Sequence, residues 1–285
     1  MRKTRPTKNG ESKTMQTKNL DYKIIIEIKD KNIEIDQLDI AFNIRKNCKL
    51  EPDIAYIKIW NLDDTTFNYI SESNSNLHLY IKSGNSDKTL LFCGKPDLGT
   101  IRRVNRFYPR ESPDICTIIK ITDSADAYIN SYINKDYIDS VSSTRIINDC
   151  IDEMGLTVNG INNITAEKMY DSYKAKGKPH TILKSICDEL DIPLFIQNGA
   201  VRSFSGFDIN NLTAITEFST GNASKPLLQN QSEVSFYSEF VPYLLPADII
   251  KCSFEEFFGY YRVSEITFDG NNYNKMCVTK ITIGL

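Results

Sequence analysis

The strongest constraint on this chain is a two-residue alternation of apolar side chains that fills its first and last thirds. Ile24, Ile26 and Ile28 are followed by Ile33 and Ile35, then Ile40, Phe42 and Ile44, then Ala55, Ile57 and Ile59. Successive side chains of a strand point to opposite faces, so this period puts each apolar set on one side of a sheet. Lys23, Glu27, Lys29, Tyr56 and Lys58 fall on the other side, and only Ile25 breaks the polar phase. The pattern continues in Leu77, Leu79 and Ile81, then in residues 89–94, 101–107 and 115–122, giving about six or seven strands, enough to curl into a barrel or sandwich. The polar stretch 83–88 reads as a hairpin turn, and Asn61-Leu62-Asp63-Asp64 as the cap of a short helix through Phe67 and Ile70.

In the middle the period lengthens. Ile146, Ile147, Cys150, Ile151 and Met154 share one helical face, entered at Ser142 or Ser143 and stopped by Gly155. Ile182, Leu183, Ile186, Cys187 and Leu190 repeat that spacing, opened by Pro179 and closed before Pro193. Between them, residues 157–178 are polar and predict a loop with a strand near Tyr170 to Tyr173. Asn198-Gly199 is the strongest hairpin signal in the chain, because a type I′ turn needs positive φ at both central residues. Strands return at residues 234–236, 249–254, 260–268 and 276–283.

The predicted fold is therefore mainly β with an α+β middle. Residues 1–20 form a basic tail, with Arg2, Lys3, Arg5, Lys8, Lys13 and Lys18 against Glu11 alone, a composition expected to be disordered. Residues 21–125 form a first β-rich domain, a barrel or a sandwich, and 126–205 a small domain with two short helices and a hairpin. Residues 206–285 form a second β-rich domain, which can share strands with the middle.

Composition narrows function mainly by exclusion. Of 285 residues, 41% are hydrophobic and 25% charged, the balance of an ordinary globular protein, and a net charge of -3 argues against whole-molecule nucleic-acid binding. Cys48, Cys93, Cys116, Cys150, Cys187, Cys252 and Cys277 contain no close pair, as expected of reduced thiols rather than a zinc site or disulfide framework. No stretch is long and apolar enough for a membrane helix, and residues 1–20 lack the apolar segment of a signal peptide.

Candidate chemistry is sparse, and no catalytic, cofactor-binding or metal-ligating residues are assigned. His78 and His180 lie far apart without ligand spacing. Gly84 to Thr89 resembles a phosphate loop but lacks the second glycine and the following helix. Asp63-Asp64, Asp188-Glu189 and Glu255-Glu256 are adjacent carboxylates of the kind that crowd turns and helix faces. The less ordinary feature runs from Phe254 to Tyr261, where aromatics surround two carboxylates at a strand turn. Phe254, Phe257, Phe258 and Tyr260 are the candidate protein-interface residues, since rings exposed beside charge are typical of interfaces.

Four phrases in fixed order resemble the hub subunits of contractile tails in Mu-like and related phages and phage-derived particles. Ile40-Ala-Phe42-Asn-Ile44-Arg45 precedes Pro52-Asp-Ile-Ala55-Tyr-Ile57-Lys-Ile59-Trp-Asn61-Leu62, which is similar to the family's Pro-x-x-Ala-x-Ile-x-Ile-x-Asn-Leu strand and turn. Leu91-Phe92-Cys-Gly94 matches Leu-Phe-x-Gly, although Lys95-Pro96-Asp97 departs from the usual continuation. The two-helix middle with Tyr173-Lys-Ala-Lys-Gly177 follows, then Val241-Pro-Tyr-Leu244-Leu245-Pro246-Ala-Asp248 and Gly259-Tyr-Tyr261-Arg-Val263. Where the family has a glycine-rich strand, this chain has Lys225 to Gln231.

The resemblance implies two tail-tube-like β-barrel domains per chain and a homotrimer around a central channel, located in the virion tail baseplate after assembly in the bacterial host cytoplasm. Implied partners are the tail tube protein and the central spike protein, with baseplate wedge and tape-measure proteins as further neighbours. DNA would pass through the channel without specific binding, no cofactor is needed, and no membrane anchoring is implied. The competing readings are a tube or distal tail protein, a tail-associated cell-wall hydrolase, and an unrelated β-rich binding module.

Overall fold

A computed structural model describes residues 22–72, 75–84, 86–106, 114–159, 167–204 and 215–284. The basic segment 1–20, Phe107 and the start of the region expected from residue 206 lie outside the described residues. Mostly β, the chain also contains four α-helices among the described residues, α1 (Asp64–Glu72), α2 (Ala125–Ile129), α3 (Ser143–Glu153) and α4 (Pro179–Leu190).

The two β-rich regions of the sequence meet in a single fourteen-stranded sheet. From one end its order is Leu227–Asn230, Glu233–Glu239, Met276–Gly284, Phe257–Asn271, Ile40–Asn47, Ile54–Trp60, Asp114–Thr122, Thr89–Pro96, Leu77–Ser83, Tyr22–Ile28 and Ile33–Ile35. Arg102–Arg106 pairs with Asp114–Thr122, and Ile249–Phe254 joins Phe257–Asn271 to the parallel strand Thr216–Ser219. The inward faces of both regions belong to one buried cluster, from Ile24 and Ile26 through Phe42 and Ile57 to Phe236, Phe268 and Ile283.

The seam between the regions is the antiparallel pairing of residues 41–47 with 265–271. Phe42, Ile44, Ile266 and Phe268 are at most 3% exposed along it, and each such burial contributes about 1.5–3 kcal/mol. The surface pair Arg45–Glu265, bonded at 2.6 and 2.8 Å, adds at most about 1 kcal/mol, so apolar burial decides the stability of the seam. Asn272 closes one end, its Oδ1 accepting from the Ile40 amide at 2.8 Å and its Nδ2 donating to the Leu38 carbonyl at 2.7 Å. Gly270 lets the sheet close over Phe42, since a Cβ there would lie 2.7 Å from the Phe42 ring and 2.6 Å from Cys277 Sγ.

The helical region has its own core, in which Ile146, Ile147, Cys150 and Ile151 of α3 pack with Leu183, Ile186 and Cys187 of α4. Ser142 caps α3 by accepting the Arg145 amide, and Pro179 opens α4, which ends at Asp191 in a left-handed conformation. The hairpin Leu194–Gln197 with Ala200–Ser203 turns through Asn198 (φ 51°) and Gly199 (φ 76°). The stretch read as mostly loop is more ordered than its polarity suggests. Thr157–Asn159 adds in parallel to Ala200–Ser203, and Tyr173–Gly177 pairs with Ile133–Tyr137. Those strands are too short to show a period.

Where the two cores meet, charge is buried. Ile40, Phe42 and Ile44 face inward, and the next inward position is Lys46, 2% exposed, near Asp53 and Asp123. Asp53 closes the turn before its strand, its Oδ1 accepting the Asn47 amide at 2.9 Å. Asp123 accepts from Ser124 Oγ at 2.9 Å and from the Asn198 amide at 2.5 Å, tying the hairpin of the helical region to the end of the large sheet. Burial pushes both carboxyls up and Lys46 down, and Lys46 pulls each carboxyl partly back.

Two predictions follow from this packing. Gly270→Ala should destabilise the chain by about 1–3 kcal/mol in urea melts, the usual cost of overpacking, because Phe42 and Cys277 must move. A carboxyl raised by folding stabilises fully below its unfolded value, near pH 4, and loses that contribution as pH rises through its folded value. Asp53→Asn, which keeps the acceptor oxygen, should therefore gain melting temperature relative to the parent between pH 5 and pH 8; a difference independent of pH would contradict the buried-carboxyl account.

Candidate protein-interaction surface

The aromatic segment forms a hairpin whose turn is Glu255-Glu256, with Phe254 opposite Phe257. Alternation sorts its rings. Phe254 is 5% exposed and packs edge-on against Phe236, 5.5 Å between centroids, so it belongs to the core. Phe257 is half-buried and stacks on Tyr261 at 4.3 Å. Phe258, 71% exposed, and Tyr260, 37% exposed, point outward. Gly259 between them has φ 146°, which favours glycine, and a Cβ there would sit 3.4 Å from the Tyr261 ring.

Beside this hairpin runs the terminal strand Leu227–Asn230, exposed at all four positions. Its Leu228, with Val234, Phe254 and Phe257, lines a groove of ≈ 240 Å³ rimmed by Lys225 and Glu256, which pair at 2.8 Å. Sequence reasoning missed this strand because Lys225 to Gln231 has neither β-branched residues nor alternation. A second groove of ≈ 260 Å³ flanks the opposite terminal strand, Ile33–Ile35, between it and the start of α1.

The groups weighed for chemistry are dispersed in local roles. His78 stacks on Tyr80 with centroids 6.2 Å apart and His180 leans on Tyr128 at 5.2 Å; burial lowers the pKa of both imidazoles. Asp63 caps α1 through the Thr66 amide at 2.8 Å, Asp64 pairs with Arg103, and Glu189 is held by Lys168 and Tyr170. The polar turn from Gly84 joins two antiparallel strands. Burial pushes the thiols of Cys48, Cys150, Cys187 and Cys252 up to about 12, away from the thiolate needed for nucleophilic attack. Among the described residues no three His, Cys, Asp or Glu side chains gather as metal ligands, and no helix is long and apolar enough to cross a membrane.

No family model and no curated protein matches the sequence. Solved structures do match its fold. A tail protein from Neisseria meningitidis superposes with a TM-score of 0.64 over 93% of this chain and 96% of its own, at 9% identity. The 43 kDa tail protein of prophage MuSo2 from Shewanella oneidensis gives 0.63 over 92% and 96%, at 8% identity. The fold is that of a phage tail protein. The same tail-protein fold relates the chain to the E. coli c3393 protein, a type VI secretion component with structural similarity to the T4 tail proteins gp27 and gp5. That match has a TM-score of 0.56 and 8% identity, over 87% of this chain and 74% of the other.

The hairpin separates packing from surface in a testable way. Phe254→Ala should cost about 3–5 kcal/mol in chemical denaturation, as for other buried aromatics, whereas Phe258→Ser should change stability by less than about 0.5 kcal/mol.

Proposed function

We propose that this chain is a structural, non-enzymatic hub subunit of a phage-like tail, three copies of which form a ring that joins the tail tube to the central spike. The observation that carries the reading is a tail-protein fold extending over 93% of the chain. The third match, described as similar to gp27 and gp5, supports a position in the baseplate.

Symmetry gives the reading its physical logic. Three chains, each contributing two similar β units, offer six near-equivalent faces to a hexameric tube at one end and threefold symmetry to a trimeric spike at the other. The two units are the β regions on either side of the 41–47/265–271 seam, with the helical region on the flank. The task is geometric: hold the tube end, seat the spike, and leave a passage through which DNA moves without specific contacts. Baseplate wedge and tape-measure proteins are the further neighbours such a ring would meet, in the virion and during assembly in the host.

Light scattering on the purified chain, alone and mixed with a candidate spike protein, should give three times the 32.5 kDa chain mass or a complex built on that trimer. A chain that stays monomeric with spike and tube present would overturn the ring.

A further inference from the structure

The helical region is a body of its own, with a separate core and no strand shared with the large sheet among the described residues. The chain passes into it from Asp123 through Ser124, which holds φ 54°, a left-handed value that costs energy for a residue with a Cβ. Asp123 keeps that link in place. It accepts the Ser124 hydroxyl at 2.9 Å and, across the joint, the Asn198 amide at 2.5 Å. Elsewhere the joint is poorly matched. Asp53 Oδ2 and both polar atoms of the Gln197 amide, in residues 1% exposed, are buried without a hydrogen bond, as is Arg202 Nε. A crevice of ≈ 230 Å³ lies beside the Asn198 contact, with Gly94 and Lys95 of the sheet on one wall and Gly155 and the Asn198-Gly199 turn on the other.

We infer that the helical region is a latched module, which swings away from the large sheet as a folded body about Ser124 when Asp123 lets go of the Asn198 amide. The closed arrangement carries two costs that opening removes. The left-handed backbone at Ser124 relaxes, and the unpaired atoms of Asp53, Gln197 and Arg202 gain water as a partner. Against these stand the Asp123 grip, the packing of Arg262 on the Phe204 ring at 4.5 Å, and the burial of Leu50 in the helical core. Stored costs set against few contacts leave the two orientations close in free energy, which is what a hinge requires. While latched, the joint keeps one orientation.

The module concerns a single chain and does not depend on the ring. Hydrogen–deuterium exchange on the full chain tests it, with the Asn198 amide reporting the latch and the amides of α3 the helical core. In the parent the Asn198 amide should exchange at least about tenfold faster than α3, because opening leaves the helical core folded. Gln197→Met keeps the volume and removes the unpaired amide, so it should slow Asn198 exchange by about threefold. Asp123→Ala removes the grip and should raise the radius of gyration in small-angle X-ray scattering, at the parent's mass and circular dichroism. Exchange of Asn198 in step with α3 would mean that the region unfolds rather than swings, and would overturn the hinge. So would a Gln197→Met chain that exchanges no more slowly than the parent, or an Asp123→Ala chain with the parent's radius. If Asp123→Ala does not fold, the parent and Gln197→Met decide the matter.

Discussion

The structure depends on one long-range pairing, residues 41–47 against 265–271. Without it the chain would have two open β regions, each with an apolar edge. With it, the inward faces of both become one core that contains Phe42, Ile44, Ile266 and Phe268. The pairing is non-local by more than two hundred residues, so its loop-closure entropy must be offset by burial rather than by local turns. That explains the absence of a side chain at Gly270 and the placement of Asn272 as a polar lock, since both let the two edges approach closely.

The second constraint is the charged joint between the large sheet and the helical region. Asp123 holds the Asn198-Gly199 turn directly, while Asp53 Oδ2 and both polar atoms of the Gln197 amide are buried without a hydrogen bond. Such groups cost stability compared with an apolar joint, but they fix one orientation of the two cores because few alternatives satisfy them. In the ring proposed above, a fixed orientation would keep faces that meet different partners at one relative angle.

Much of this was legible residue by residue. The alternating isoleucines gave the strands, Ser142 and Pro179 the helix starts, and Asn198-Gly199 the hairpin, because each rests on local backbone preference. The seam was not legible, because alternation says which face is buried and not which distant strand lies alongside. In the long strand Phe257–Asn271 a bulge between Val263 and Glu265 shifts the inward phase from Val263 to Ile266, which no periodicity count anticipates. In the aromatic hairpin Phe254 is in step with the buried Ile250 and Cys252, whereas Phe258, in step by count alone, is turned outward because the two-residue turn pairs it with Ser253. The edge strand at Leu227 shows no alternation, and Lys46 lies in the inward phase of Ile40, Phe42 and Ile44 although its residue type favours the surface. At 8–9% identity to solved tail proteins, what persists is the order of strands rather than the residues that make them.

The ring account is tested most directly by electron cryomicroscopy of the assembled tail that carries this chain. The account predicts three copies of the fold around the axis at the junction of tube and spike. Density for the fold at another level of the tail, or in any number other than three around the axis, would contradict it.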